Sequence, residues 1–215
     1  MKELTQEQSK VEVKGLEAKF YDAFLNILTF GSYSSFIKHA IRDLELSEGE
    51  RVLDLGSGTG RNDCLMLKYV KEKGAVTGVD IGEEMMSQFR KNCSFSNTSL
   101  IEHRIDEPLG IEDEYDMVFT SFVLHGFVQE RREIIIDNAF RALKEKGRFA
   151  VLDYNEFDID NSSWLVKFLI RKAECPLAED FIRRDLKALL KEKGFSSFKE
   201  HHYYREHLRL LIAYK

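Results

Sequence analysis

A chain of 215 residues with 43% hydrophobic and 32% charged side chains has the balance of a soluble globular domain, which excludes a disordered or collagen-like polymer. One core of this size needs neither disulfides nor a metal to hold it. The net charge of −5 gives no global reason to expect a nucleic acid partner, and no apolar run approaches the ~20 residues that cross a bilayer.

Residues 1–14 are polar and mixed in charge, so no signal peptide is read there and a cytoplasmic location is expected. Hydrophobic periodicity predicts helices over 16–28 and 36–44. An apolar strand follows at 51–55, then a helix at 62–71, a strand at 75–80 and a helix at 83–92. Strands are predicted at 100–104 and 115–120, a helix at 131–143 and a strand at 148–153. Helices at 164–171 and 178–193 precede two last strands, 197–204 and 207–214. The 164–171 helix is strongly apolar and is expected to face the core, with a greasy substrate wall or a transient membrane-surface contact as the alternative. Lys-Glu-Lys-Gly recurs at 71–74, 144–147 and 191–194, and each copy reads as a helix end with a left-handed glycine cap. Arg131-Arg132 and Arg183-Arg184 read as solvated faces. Cys64, Cys93 and Cys175 lack C-x-x-C spacing, so reduced thiols and no metal are expected. His201 and His202 point to opposite faces of a strand and read as structural.

Strand–helix alternation predicts βαβ units in an α/β, doubly wound, mostly parallel sheet of seven strands. Only Arg205 and Glu206 separate the last two predicted strands, so they must form an antiparallel hairpin. The chain reads as one domain, with N-terminal helices over 1–46, a ligand-binding core over 47–153 and substrate-side helices and the hairpin over 154–215. Ligands of such sheets bind outside the carboxyl ends of the strands, where the strand order reverses.

The segment RVLDLGSGTGRN, 51–62, runs from that first strand into a helix. Gly56, Gly58 and Gly60 let a ligand lie against the backbone and are expected to leave free amides at the helix N-terminus. A Walker loop would need Lys-Ser/Thr where Arg61-Asn62 stands, and the dinucleotide pattern G-x-G-x-x-G fails at Arg61. What remains is D-x-G-x-G-x-G, with Asp54 placed to accept from an ammonium. Asp80 ends the second strand, where a carboxylate can take both hydroxyls of a ribose. Asp80 is not a core residue, so its removal is expected to leave stability almost unchanged. Asp106 follows the third strand and could meet an adenine amino group. An ammonium, a ribose and an adenine without pyrophosphate describe S-adenosylmethionine.

The stretches VLDLGSGTG, GVDIGEEM at 78–85 and LKEKGRFAVLDY at 143–154 resemble the class I S-adenosylmethionine-dependent methyltransferases in order and spacing. KFYDAFLNILTFGSY at 19–33, SFVLHGF at 121–127 and the DLKALLKEKGF end make the chain most similar to the ubiquinone/menaquinone C-methyltransferases. His125 stands where that group usually has an Arg. The resemblance implies a Rossmann-like fold, N-terminal helices that act as a lid, and cofactor contacts from Tyr21, Asp54, Gly56, Ser57, Gly58, Gly60, Asp80, Ile81, Met85, Asp106 and Ser121. It implies transfer of a methyl group to a small, lipophilic, quinone-precursor-like molecule. The alternatives are a phospholipid or small-amine N-methyltransferase and a non-catalytic module that only binds the cofactor. The sulfonium leaves as a neutral thioether, so the enzyme needs in-line placement and, for some acceptors, a base. His125, after the fourth strand, is the candidate base, and Asp153 and Tyr154 are expected to edge the substrate pocket.

Overall fold

The computed structural model describes residues 5–6, 32–168, 170 and 176–215. The helix predicted at 16–28, including Tyr21, lies outside them, and so does Cys175. The described elements are α1 (Ser32–Asp43), β1 (Arg51–Leu55), α2 (Arg61–Val70), β2 (Ala75–Asp80), α3 (Glu83–Asn92), β3 (Thr98–Glu102), β4 (Tyr115–Ser121), a 3-10 turn (Leu124–Gly126), α4 (Gln129–Ala142), β5 (Leu143–Tyr154), α5 (Trp164–Phe168), α6 (Pro176–Ile182), α7 (Leu186–Glu192), β6 (Ser197–Tyr203) and β7 (Leu208–Tyr214). Among these residues no helix is long and apolar enough to cross a membrane.

Strands buried on both faces need apolar residues at consecutive positions, and the central strands have them. Their side chains sort by parity. Leu53, Val118, Val151 and Leu211 pack with Ile135, Ile136 and Ala139 of α4, Phe181 of α6 and Leu190 of α7. Val52, Met117, Ala150 and Leu210 pack on the other side with Ile37 and Ile41 of α1 and Met66 and Val70 of α2. The strand order is β3-β2-β1-β4-β5-β7-β6. Strands β1 to β5 are parallel, and β7 runs antiparallel to both β5 and β6. This is the expected doubly wound sheet of seven strands with one reversed. Connections leave β1 toward β2 on one side and β4 lies on the other, so the crevice opens outside β1 and β4.

The hairpin connection spans 204–207, longer than the expected two residues, and Tyr204, Arg205 and Glu206 take left-handed φ values of 50°, 55° and 68°. Of the three Lys-Glu-Lys-Gly repeats, only the last has the expected left-handed glycine, Gly194 at φ 104°. In the others a lysine is left-handed, Lys71 at 56° and Lys146 at 65°. Gly74 is needed for space instead, because a Cβ there would lie 2.5 Å from the Glu50 carbonyl oxygen. The 144–147 repeat separates nothing: β5 starts at Leu143, and the ladder shifts register between Tyr115↔Leu143 and Met117↔Arg148. The helix expected over 178–193 is two helices, with Asp185 capping α7 by accepting from the Ala188 N–H at 2.9 Å. Helix α5 is not core-facing throughout. Val166 packs on the Ile159, Ile170 and Ile182 cluster, but Trp164 is 78% and Phe168 55% exposed.

Candidate active site

A cavity of about 440 Å³ lies where β1, β2, β3 and β4 end, a size that suits a small-molecule ligand. Gly56, Gly58, Asp80, Ile81, Met85, Asp106 and Ser121 line it. Glu84, His103, Arg104 and Phe122 line it too and were not read as site residues. Asp54, Ser57, Gly60 and His125 are outside the lining; the first three belong to the layer beneath.

The glycine loop takes a shape that side chains oppose. Gly56, Gly58 and Gly60 have φ of 81°, 55° and 74°. A Cβ on Gly56 would meet Val123 at 2.7 Å, and one on Gly60 would meet Phe89 at 2.6 Å. At Gly58 a Cβ would meet nothing within 4 Å, so this residue leaves room on the cavity side. The loop amides are not free, contrary to expectation. Those of Gly56 and Ser57 donate to the Val79 carbonyl and that of Gly60 to the Ser57 carbonyl. The Gly58 N–H donates to Asp80 Oδ2 at 2.8 Å, while Asp80 Oδ1 accepts from the N–H groups of Ile81 and Gly82, both at 2.8 Å. Asp80 thus ties the β1 loop to the turn after β2 and presents its remaining acceptor capacity at the cavity wall.

Under the loop, Asp54 from β1 and Asp63 from the first turn of α2 are buried, 1% and 0% exposed. Among the described residues nothing outside the pair donates to their four carboxyl oxygens; each carboxyl has only the other and, for Asp63, its own backbone N–H. Burial pushes both carboxyls up, Asp63 to about 7, and each side chain acts on the other. Sequence reasoning missed Asp63. Its signal was its position three residues after the last loop glycine, on the same side of the loop as Asp54.

Asp106 is buried at the cavity edge and is held by two arginines. Arg104 donates to both its oxygens, at 3.0 and 3.2 Å, and Arg131 donates to Oδ2. Burial raises its pKa, but the arginine hydrogen bonds outweigh this and hold it below the usual carboxylate range. Arg131 is therefore paired at the site and is not simply a solvated face.

The segment after β4 carries the other half of the site. Phe122 lines the cavity at φ 56°, an unusual conformation for a bulky residue, fixed by its N–H donating to the Leu152 carbonyl at 2.8 Å. In the 3-10 turn that follows, His125 is buried, and its Nδ1 lies 2.8 Å from Asp153 Oδ1. The same carboxylate accepts from the His125 N–H at 3.2 Å and the Tyr154 N–H at 2.8 Å. A carboxylate on Nδ1 places the proton there and makes Nε2 the basic nitrogen. The ring of Tyr154 stands edge-on to His125 at 5.1 Å, and ring contacts continue through Phe122 to Phe36, Tyr203 and Tyr204. Gln6 brackets the turn, donating to the Gly126 carbonyl at 3.2 Å and accepting from the Val128 N–H at 3.1 Å. Arg132, expected in solvent, is 1% exposed. It donates to the Leu124 carbonyl at 3.0 Å, the Leu177 carbonyl at 2.9 Å and Asp180 at 2.7 Å.

The expected cofactor fits this frame on two observations: a left-handed glycine with open space beside it, and a buried acid pair beneath the glycine loop that nothing outside the pair neutralises among the described residues. Comparisons agree. Residues 46–202 match the family described as Methyltransferase domain. An uncharacterised methyltransferase of Synechocystis is 30% identical over 196 residues, 88% of this chain and 87% of that protein. An arsenite methyltransferase of Halobacterium salinarum is 30% identical over 161 residues, 71% of this chain and 39% of that protein. A ubiquinone/menaquinone biosynthesis C-methyltransferase of Proteus mirabilis is 26% identical over 147 residues, 66% of this chain and 58% of that protein. The matched region is thus only part of the last two proteins. Among solved structures, a Nostoc punctiforme protein described as an O-methyltransferase superposes with a TM-score of 0.74 at 19% identity, covering 92% of this chain and 59% of that one. A Haemonchus contortus phosphoethanolamine N-methyltransferase solved with S-adenosyl-L-methionine superposes at 0.66 with 14% identity, covering 86% and 53%. The chain belongs to the methyltransferase-domain family and is a class I S-adenosylmethionine-dependent methyltransferase with similarity to the ubiquinone/menaquinone C-methyltransferases.

Proposed function

We propose that this methyltransferase acts on a small, lipophilic, quinone-precursor-like acceptor whose reacting carbon or oxygen must lose a proton. The observation that carries this is the His125–Asp153 pair, 2.8 Å apart, with His125 in the 121–127 segment whose Ser121, Phe122, Val123 and Phe127 line the cavity and Asp153 near the end of β5. A buried acid beside Nδ1 is the arrangement of a general base, and the same carboxylate holds the turn through the His125 and Tyr154 N–H groups. The adjoining rings of Phe122 and Tyr154, both partly exposed, suit a planar, apolar acceptor.

In this reading the bound cofactor supplies an electrophilic methyl on a sulfonium. Asp80 holds the ribose hydroxyls, Asp54 receives the ammonium, and Asp106 with its arginines borders the adenine. Gly56 and Gly58 would admit the cofactor against the backbone, with Ile81, Met85 and Ser121 around it, while Ser57 and Gly60 shape the loop from beneath. Phe122, which lines the cavity, would help to position the acceptor. Nε2 of His125 takes the acceptor's proton, and Asp153 stabilises the imidazolium that forms.

The test is transfer of a labelled methyl group to phenolic and quinone-precursor acceptors, compared with phosphoethanolamine and arsenite. Transfer to a phenol or quinone precursor is expected. His125→Gln should lower turnover by about 10²–10⁴ with little change in cofactor affinity. The wild-type rate should fall on the acid side as an imidazole protonates, and the variant should lose that limb. The same rings could also hold a cationic amine, the second reading. Methylation of an amine alone, with turnover retained in His125→Gln, would replace the first reading by the second.

A further inference from the structure

Two adjacent carboxyl groups that see neither solvent nor a donor from outside the pair cannot both be ionised at neutral pH. Asp54 and Asp63 are in that position. Among the described residues no counter-charge acts on them. From β2 the facing group is Asp80, which has the same sign. From α2 and the end of α3 the facing groups are Cys64 and Cys93, whose thiols burial pushes up and keeps neutral. The N-terminal turn of α2 favours negative charge at Asp63, but Asp63 lies in a site that excludes water. The oxygens need a donor in every state of the protein, and two donors are available in turn.

We propose that Asp63 joins Asp54 as the seat of the cofactor's ammonium, and that the pair holds one shared proton in the free protein which leaves as the ammonium arrives. One carboxyl O–H bond breaks, its proton goes to water, and the ammonium N–H groups become the donors. The protonated pair carries one negative charge, and so does the fully ionised pair with an ammonium, so the exchange leaves the buried charge unchanged. Proton and ammonium are alternative occupants of the same acceptors. Because binding expels a proton, cofactor affinity rises with pH, by up to about tenfold per pH unit while the pair is protonated in the free state. The inference rests on the ammonium reaching Asp54, as proposed above.

The experiment is calorimetric titration of the whole chain with S-adenosylmethionine in buffers of different ionisation enthalpy. It is run at about pH 6.5, below the usual α-amino range of about 7.7–8.0, so that the ligand arrives charged. Wild type should release about one proton per cofactor bound. Asp63→Asn, whose amide donates to Asp54 in place of the proton, should release none, and its affinity should be flat with pH. Methylthioadenosine, which lacks the ammonium, should release none from wild type. Absence of proton release in wild type, or equal release in a folded Asp63→Asn variant, would overturn the proposal. Asp54→Asn separates it from the reading it rests on. Unchanged affinity there removes the ammonium from the site altogether, whereas weakened affinity without proton release in wild type removes only the shared proton.

Discussion

Asp80 shows how one side chain can serve the ligand and the fold together. Its three backbone donors come from two loops, the Gly58 amide on one side and the Ile81 and Gly82 amides on the other. Hydrogen bonds to a charged acceptor are worth about 1.5–3 kcal/mol each, and part of that is recovered from water at a half-exposed position. Asp80→Ala should therefore weaken S-adenosylmethionine binding by at least about tenfold and also destabilise the ligand-free protein by about 1–3 kcal/mol. Titration calorimetry checks the first and urea unfolding the second. This differs from the expectation that the acid is neutral for stability, because a strand-end position says nothing about the amides that converge on it. Its place at the end of β2, by contrast, was legible, since the strand pattern and the glycine loop are both local.

At the scale of the element, α4 is an amphipathic helix whose buried face includes an arginine. Arg132 lies one turn before Ile135 and Ile136 on the face that packs against the sheet. The i, i+3, i+4 spacing was the signal that could have placed it inside, and the neighbouring Arg131 masked it. The guanidinium joins the turn that carries His125 to α6 through the Leu124 and Leu177 carbonyls and Asp180, and its Cζ lies over the Phe181 ring, 5.1 Å from the centroid. Arg132→Met fills the space but removes the guanidinium bonds to two buried carbonyls, of which that of Leu124 keeps the Phe127 N–H at 3.1 Å. Asp180 keeps Arg184 at 2.8 Å, so the loss is expected near the lower end of the range for a broken buried pair, about 3 kcal/mol in chemical unfolding. Turnover should fall further than cofactor affinity, because the Leu124–Gly126 turn loses its anchor while the glycine loop does not.

For the whole molecule, charge pairing across elements sets the response to acid. Asp106, Asp116, Asp180 and Glu200 join separate parts of the fold through Arg104 and Arg131, Lys144, Arg132 and Arg184, and Lys187 and Arg209. Burial pushes each of these carboxyls up, but the hydrogen bonds from their partners outweigh it and hold all four below their ordinary values. A depressed folded pKa contributes stability that is present above the unfolded value of about 4 and lost as pH falls through the folded one. Asp54 and Asp63 have raised values, so their contribution has the opposite sign and is lost as pH rises from about 4 toward neutrality. The ligand-free protein should thus lose melting temperature below about pH 4, and between about pH 4 and 7 Asp63→Asn should gain on wild type as pH rises. Melting curves of both proteins across pH check the two limbs.

Sequence alone determined the alternating βαβ order, the two-faced apolar strands, the glycine turn after β1 and the acids at the ends of β1 and β2. These are set by side-chain parity and by spacing within a few residues, which a linear reading resolves. It also placed His125 on the segment after β4. Only the tertiary structure decided what faces these residues. Asp153 lies 28 positions from His125 and the Leu177 carbonyl 45 from Arg132, and packing of β5 and α6 is what brings them together. The position of β7 between β5 and β6 was likewise set by pairing, since a hairpin by itself fits either way at a sheet edge. The pairing of Asp63 with Asp54 has the same cause. Each acid is unremarkable in its own segment, and their conflict exists only because the glycine loop folds β1 back against α2 and removes the water between them.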